Sequence, residues 1–314
     1  MTDVSVIILT RNTCEMTRAA IQSVLDSRDD LRKEILVVDN GSTDDTPRKL
    51  PRDFPQIKFL RSERNLGFAA GCNLAAKNAT GEFLLLLNSD SLPAPDAMAK
   101  TIEFMRANPN CAVAGAQLLN LNGSRQNSIA NFPTLATELL SKSLLRRIWK
   151  NKFPGKEQKF STPVDVESVV GAFMLARKKV WDEFGGLDER YFFFLEETDF
   201  CLQARQKNYR VVHLPNVCVT HGQGQTAKQV STAARIEYWR SRYIYFAKNH
   251  GIGTRILLRA GLFIRLFFDW LVAALLAFVT FGQSARWRSR LRLCSALIGW
   301  HLRGCDNESG LPRE

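Results

Sequence analysis

Glu82-Phe83-Leu84-Leu85-Leu86-Leu87-Asn88-Ser89-Asp90, residues 82–90, decides the fold. Its five apolar residues run without polar alternation, the pattern of a strand covered on both faces in a parallel α/β sheet. The run stops at Asn88-Ser89-Asp90, and Pro93 and Pro95 follow. The polar triplet therefore falls just past the strand's carboxyl end, where open α/β sheets bind ligands. A carboxylate there suits a divalent cation of the Mg²⁺ type, which is commonly shared between one or two carboxylates and substrate phosphates. The same residues also suit a plain turn that caps a helix around 95–107.

Working outward from this strand, the first half alternates strand and helix signals. Val4–Thr10 reads as a strand, Glu15–Leu25 as a helix and Glu34–Val38 as a second buried strand. A short helix follows over Thr43–Leu50, a strand over 57–60 and an Ala-rich helix over Leu66–Thr80. This is the βαβ signature of a doubly wound parallel sheet. Right-handed crossovers then bring Thr10, Asp39 and Asp90 to one edge. Asp39-Asn40-Gly41-Ser42 fits either a capped Gly turn or the acidic strand end that grips a ribose in nucleotide sites. Arg64-Asn65-Leu66-Gly67-Phe68-Ala69-Ala70-Gly71 places glycines where a helix begins, and free N–H groups there favour an anion. The chain has neither GxGxxG nor GxxxxGK[ST], which counts against dehydrogenases and P-loop enzymes.

The second half changes character, with longer strands of a mixed sheet expected at 112–118 and 164–177. Between them, Lys142–Lys159 is basic and carries Leu144, Leu145, Ile148 and Trp149, which suits a solvated helix face or a membrane or phosphate contact. Tyr191-Phe192-Phe193-Phe194-Leu195 leads into Glu196-Glu197-Thr198-Asp199 and a helix to about Lys207. First-turn acids suit the helix dipole. Beside an aromatic wall, desolvation and like charge also raise a carboxylate's pKa and make a better general base. His221 follows strand-like 217–220 and precedes Gly222-Gln223-Gly224, a position that suits a ligand.

At 314 residues the chain can bury a substantial core, as one large domain or one plus an appendage. Its net charge of +12 asks for an anionic partner: nucleic acid, a phosphorylated substrate or an acidic membrane face. No basic-then-apolar leader precedes the first strand, so a cytoplasmic protein is expected rather than a secreted one. The seven cysteines are scattered and unpaired by any CxxC, which argues against a zinc framework or disulfide scaffold.

In the order of these motifs, residues 3–250 resemble the family 2 glycosyltransferases of GT-A type fold, in particular the bacterial rhamnosyltransferase-like branch. Val4–Asn12 resembles the first strand of that family, and Val37–Asp44 its nucleotide-binding turn. Asn65–Asn73 resembles the next segment, and Asn88-Ser89-Asp90 stands at the position of the DxD motif. Gly171-Ala172-Phe173-Met174 resembles the acceptor-side motif, Glu196–Asp199 the segment of the general base, and His221 the late metal-ligand histidine.

The resemblance implies inverting transfer of a sugar from a nucleoside diphosphate donor, dTDP-rhamnose or a UDP-sugar, to a glycan or lipid-linked acceptor in cell-surface polysaccharide synthesis. It assigns Thr10, Asn12, Asp39, Asn65, Gly67, Asn88 and Ser89 to the donor, and Gly171 and Ala172 to the acceptor. Asp90 and His221 would hold Mg²⁺ or Mn²⁺, which offsets charge on the leaving group. Glu197 would take the acceptor proton, supported by Glu196 and Asp199. Two departures stand out: Asn88 begins the metal triplet where the family has Asp, and Glu197 stands where many relatives have Asp.

From Arg255 the composition shifts, setting a catalytic domain at 1–250, with nucleotide-binding and acceptor halves meeting near 110, against a helical segment at 251–314. Leu262–Gly282 is apolar apart from Arg265 and Asp269, and its clean part, Leu271–Phe281, is short of the roughly 20 residues of a spanning helix. Arg286, Arg288, Arg290, Arg292 and Arg303 follow among Trp287, Leu291, Leu293, Leu297, Ile298 and Trp300. Arg and Trp on amphipathic helices suit an anionic membrane surface. Peripheral attachment to the inner face of the cell membrane is therefore expected over a spanning anchor through 262–282, and over a helical hairpin packed on the catalytic domain or on a homodimer partner. A nucleic-acid-binding protein and a catalytically silent membrane scaffold are the rival readings. No nucleic-acid motif supports the first, and the set Asp39, Asp90, Glu197 and His221 argues against the second.

Overall fold

The structure, a computed structural model, describes residues 2–149, 160–222 and 231–313. The chain divides into two compact units: Met1–Phe132 with Pro154–Gln225 and Arg313–Glu314, and Pro133–Phe153 with Thr226–Pro312. Residues 231–250 fall with the helices that follow them in the second unit.

In chain order the elements begin with β1 Val4–Thr10, α1 Cys14–Leu25, β2 Lys33–Asn40, α2 Thr46–Asp53, β3 Lys58–Ser62, α3 Phe68–Ala76 and β4 Phe83–Asn88. Next come β5 Ser91–Pro93, α4 Ala97–Ala107, β6 Cys111–Leu119, β7 Ile129–Ala130, α5 Leu135–Leu139 and α6 Lys142–Ile148. Then follow β8 Val164–Asp165, β9 Ser168–Val169, β10 Phe173–Arg177, α7 Lys178–Phe184, α8 Glu196–Gln206 and β11 Arg210–His221. The last three are α9 Ser231–Asn249, α10 Ile252–Val279 and α11 Ala285–Leu302.

The first unit is built on a sheet in the order β3-β2-β1-β4-β10-β6-β11-β5, with β8 beside β11. The first four strands run parallel, while β10 is antiparallel to both β4 and β6. Phe83 to Leu87 are buried on both faces of β4, as a strand with no polar alternation requires. On one side of the sheet α3 packs through small residues, and a Cβ at Gly71 would come within 2.5 Å of the Leu9 side chain. Glycine there spares the Leu9 side chain a shift.

Three elements differ from the pattern in the sequence. The helix expected over 66–80 is shorter, because Gly67 delays its start and it ends at Ala76. The tract 164–177 is not one strand but three short ones. Glu167 accepts from the Phe132 amide at 2.6 Å, and β9 leaves the main sheet to pair with β7. The segments 211–213 and 217–220 are parts of one strand, β11, whose register against β6 slips between Leu214 and Cys218. Pro215 lies in that slip, where it has no ladder hydrogen bond to donate.

In the second unit α10 is continuous over 28 residues. Leu258, Leu262, Leu266 and Ala273 are buried along one face, against α11 and α5. Leu139 of α5 packs onto Gly261, and Glu138 pairs with Arg242 of α9 at 3.0 Å. Asp269, an acid within the apolar run, pairs with Arg290 of α11 at 2.7 Å. The other face leaves Ile264, Phe268, Val272, Leu275 and Phe278 exposed. By length and composition α10 could cross a membrane. Lys150 and Lys152 of the basic run lie outside the described residues, as do Gln223 and Gly224.

Gly67 is the most constrained turn position of the first unit, with φ 83° and ψ 178°, a region open essentially to glycine alone. A Cβ there would also meet the Phe192 carbonyl oxygen at 2.5 Å. Gly67→Ala is expected to destabilise the protein by about 3 kcal/mol or more, read as a lowered urea midpoint with an unchanged slope. An unaltered midpoint would show that the turn relaxes freely.

Candidate active site

The sheet register brings the chemically loaded turns together. Thr10 pairs with Asp39 across β1 and β2, Leu9 pairs with Asn88 across β1 and β4, and Phe173 pairs with Leu87 across β10 and β4. The ends of β1, β2 and β4 thus share one edge with the start of β10.

On the nucleotide side Asp39 is fully buried. Its Oδ1 accepts the Ser42 amide at 3.0 Å, and Oδ2 lies 3.8 Å from Arg61 and has no hydrogen-bond partner among the described residues. A buried carboxylate oxygen left in that state is an acceptor in want of a donor, such as a ribose hydroxyl or a base N–H. Thr10 and Asn12 act differently. The Thr10 hydroxyl is buried against Thr13 and Thr17 at 2.9 and 2.7 Å. The Asn12 carbonyl oxygen accepts from the Thr43 amide at 2.7 Å, with its backbone at φ 54°. Both side chains tie the turns together, and the Asn12 backbone N–H does so too, donating to Ser42 Oγ at 2.9 Å.

Asn65 and Gly67 belong to a clamp that the sequence does not reveal. Asn40 Nδ2 donates to Asn65 Oδ1 at 2.8 Å, and Asn40 Oδ1 accepts the Leu66 amide at 2.7 Å. The Phe68 amide donates to Phe192 O at 2.7 Å, joining this turn to the aromatic segment before α8.

Ser91 of β5 pairs with His221 of β11, which sets Asp90 beside the histidine. Asp90 Oδ1 lies 3.3 Å from His221 Nε2. On the other ring nitrogen, Nδ1 lies 3.0 Å from Gln126 Oε1, and Gln126 Nε2 donates to His221 O at 2.7 Å. Two contacts orient the amide, so Nδ1 donates to Gln126 and Nε2 is turned toward the Asp90 carboxylate. A carboxylate oxygen beside an imidazole nitrogen suits a shared cation. Among the described residues no cluster of three or more His, Cys, Asp or Glu could hold a metal ion. Asp90 and His221 therefore fit an ion that takes its other ligands from phosphate and water. Ser89 is tied to the first turn by Thr13 at 3.3 Å, and the Asn88 amide donates to Ala172 O at 3.2 Å.

Glu196, Glu197 and Asp199 open α8 in three different environments. The preceding Phe194 and Leu195 have φ of 76° and 70°, two consecutive left-handed non-glycine residues. Strain of that kind persists only where the surroundings impose it, and it is frequent at functional sites. Glu196 is buried, and after burial itself its charge is the next cause raising the Cys72 thiol of α3. Asp199 is fully buried and accepts from Tyr191 Oη at 3.2 Å and Gln203 Nε2 at 3.1 Å. Glu197 faces Gly171, where a Cβ would come within 3.7 Å of its carboxyl carbon. Burial pushes the Glu197 carboxyl up, opposed by the backbone amides of Glu197, Gly171 and Thr198. Its Oε2 is buried without a hydrogen-bond partner among the described residues. The arrangement gives a carboxylate with raised affinity for a proton and one oxygen free to take it.

A model of the family described as "Glycosyl transferase family 2" matches residues 5–185 of the chain. The chain belongs to that family of glycosyltransferases, and its fold is of GT-A type. Among curated proteins it is similar to an N-acetylglucosaminyl-diphospho-decaprenol L-rhamnosyltransferase of Mycobacterium tuberculosis, at 23% identity over 72% of this chain and 78% of that one. It is also similar to a low-salt glycan biosynthesis hexosyltransferase of Haloferax volcanii, at 27% identity over 67% of this chain and 66% of that one. Among solved structures, a mannosyltransferase of Pyrobaculum calidifontis in complex with GDP-Man and Mn²⁺ aligns with a TM-score of 0.56. The two share 17% identity, over 98% of this chain and 88% of that one.

The raised Glu197 carboxyl has a signature in stability. Below its ordinary value of 4.5 the group is protonated both folded and unfolded, so burial of charge costs nothing. Above that value the unfolded chain ionises first, so stability falls as pH rises until the folded carboxyl ionises too. Glu197→Gln removes this cost, and its melting temperature is expected to exceed that of the wild type at pH 7 and to converge with it near pH 4. An offset independent of pH would contradict the assignment.

Proposed function

We propose that the protein is an inverting, divalent-metal-dependent glycosyltransferase that moves a sugar from a nucleoside diphosphate donor to a lipid-linked glycan. The observation that carries this reading is the division of labour at one sheet edge. A buried acceptor at Asp39, a cation pair at Asp90 and His221, and an unpaired, proton-seeking carboxylate at Glu197 supply the three needs of the reaction. The nucleoside meets Asp39, and the Gly67 turn, whose Leu66, Gly67 and Phe68 amides are held by Asn40, Asn65 and Phe192, shapes the edge beside it. Asp90 and His221 would hold Mg²⁺ or Mn²⁺, which when bound offsets the negative charge that builds on the departing diphosphate. Asn88, Ser89 and the Asn12 side chain border this donor site.

Glu197 takes the proton of the acceptor hydroxyl while that oxygen attacks the anomeric carbon from the face opposite the leaving group. A single displacement of this kind inverts the anomeric centre. Gly171 and Ala172 line the acceptor side, next to Glu197. Glu196 and Asp199 act as positioning residues: both are buried, and the hydrogen bonds of Asp199 fix the first turn of α8. A thymidine-linked rhamnose donor suits the likeness to the mycobacterial rhamnosyltransferase, with uridine-linked sugars as the alternative.

The exposed apolar face of α10 and the arginines of α11 favour docking of the second unit on the cytoplasmic face of an anionic membrane, where a lipid-borne acceptor is found. A purely solution enzyme would leave that face without purpose.

Glu197→Gln is expected to lower kcat by on the order of 10²–10⁴ with donor affinity retained. The product of the wild type, resolved by NMR, should carry the anomeric configuration opposite to that of the donor. Normal turnover in the variant would overturn the base assignment, and a retained configuration would overturn the single displacement.

A further inference from the structure

Within the second unit an open groove of about 800 Å³ lies between α10, α11 and the start of α9. Its walls include Arg286, Arg290 and Arg292 with Trp287 from α11, and Asp269 with Val272 from α10. The groove combines two chemistries seldom found together on a solvated surface. Three guanidinium groups face one carboxylate, and that carboxylate is already paired with Arg290. Arg286 lies over the Trp287 ring at 5.1 Å, and neither it nor Arg292 has a carboxylate partner among the described residues. Val272 is half exposed and continues the uncovered apolar face formed by Phe268, Leu275 and Phe278. None of these residues serves the sugar-transfer site.

We infer that this groove binds the phosphate headgroup of an anionic membrane lipid. A guanidinium pair offers the forked donors that phosphate oxygens match best. A soluble anion would gain nothing from Val272 and the adjoining apolar helix face, whereas a lipid places its headgroup against the arginines and its chains along that face. Trp287 has the amphipathic character of residues that settle at the headgroup level. The pair Asp269–Arg290 sets the floor of the groove: it neutralises the acid and leaves Arg286 and Arg292 to meet the phosphate. Membrane docking then has a discrete contact, in addition to the diffuse attraction of a basic chain. The inference rests on the membrane docking proposed above, and its test separates failure of one from failure of the other.

The experiment measures binding of the full chain to vesicles of phosphatidylcholine alone and to vesicles with phosphatidylglycerol added. Two variants with the same net charge are compared with the wild type. Arg286→Gln with Arg292→Gln empties the groove and spares the Asp269–Arg290 pair. Arg255→Gln with Arg288→Gln removes two arginines that do not line it. Melting temperatures check that both variants fold, and either single groove substitution replaces the double if it does not. The wild type is expected to prefer the phosphatidylglycerol vesicles. The groove variant is expected to lose on the order of a hundredfold in affinity for them, since a charge-assisted contact is lost at each position. The control pair should lose at most about 25-fold, the share of the diffuse surface potential.

Equal losses in the two variants would overturn the groove as a site and leave membrane docking intact. Equal wild-type binding to both vesicle types would do the same. Binding to neither would overturn docking and groove together. Glycerol phosphate that raises the melting temperature of the wild type but not of the groove variant, without vesicles, would identify a soluble phosphate as the ligand and overturn the lipid.

Discussion

The site depends on the position of β4 between strands of opposite sense. On one side β1 runs parallel to it, and on the other β10 runs antiparallel. The carboxyl end of β4 therefore lies beside the end of a parallel neighbour and the beginning of an antiparallel one. The turns after β1 and β2 approach from the first side and the Gly171-Ala172 turn from the second. The Asn88 amide, donating to Ala172 O at 3.2 Å, fastens the two halves at that point. Because β4 is apolar on both faces, a register slip would place polar Asn88 in the core, and this fixes the meeting point.

Around that point each carboxylate is held in a different way, and the differences separate their roles. Asp39 has one oxygen committed to the Ser42 amide and the other facing a distant arginine. Asp90 is set opposite a histidine whose second nitrogen is fixed by Gln126. Asp199 accepts from Tyr191 and Gln203, which ties it into the first turn of α8. Glu197 combines burial that raises its proton affinity with an oxygen lacking a hydrogen-bond partner among the described residues. The strain at Phe194 and Leu195 sits directly ahead of it and directs the first turn of α8 toward Gly171.

How far this was legible in the sequence follows from the range of the forces involved. The parallel half rests on apolar runs and βαβ order, both local signals, and β4 ends where its composition ends. Family order carried the candidate site, and the register puts Thr10, Asp39 and Asn88 at neighbouring strand ends. What stayed hidden was made by contacts distant in sequence. Gln126 lies in a loop without pattern and meets His221 across 95 positions. Asn40 reaches Asn65 across 25. The inward turn of the Thr10 hydroxyl follows from Thr13 and Thr17, a cluster that was visible but equally compatible with an outward hydroxyl. Tract 164–177 looked continuous because its apolar residues mask the break imposed by Glu167 and Gly171. The pairing of Asp269 with Arg290 had no sequence signal, since it needs α10 and α11 to fold back on each other.

The central claim is a metal-assisted nucleotide-sugar site at the end of β4. Its most direct test is the melting temperature of the purified protein with a panel of nucleoside diphosphates and their sugars, with and without Mn²⁺. A ligand that binds only the native state raises this temperature by mass action. The account predicts a rise with a thymidine or uridine diphosphate compound that needs the metal and disappears in Asp90→Ala. A metal-independent rise, or none with any member of the panel, would contradict it.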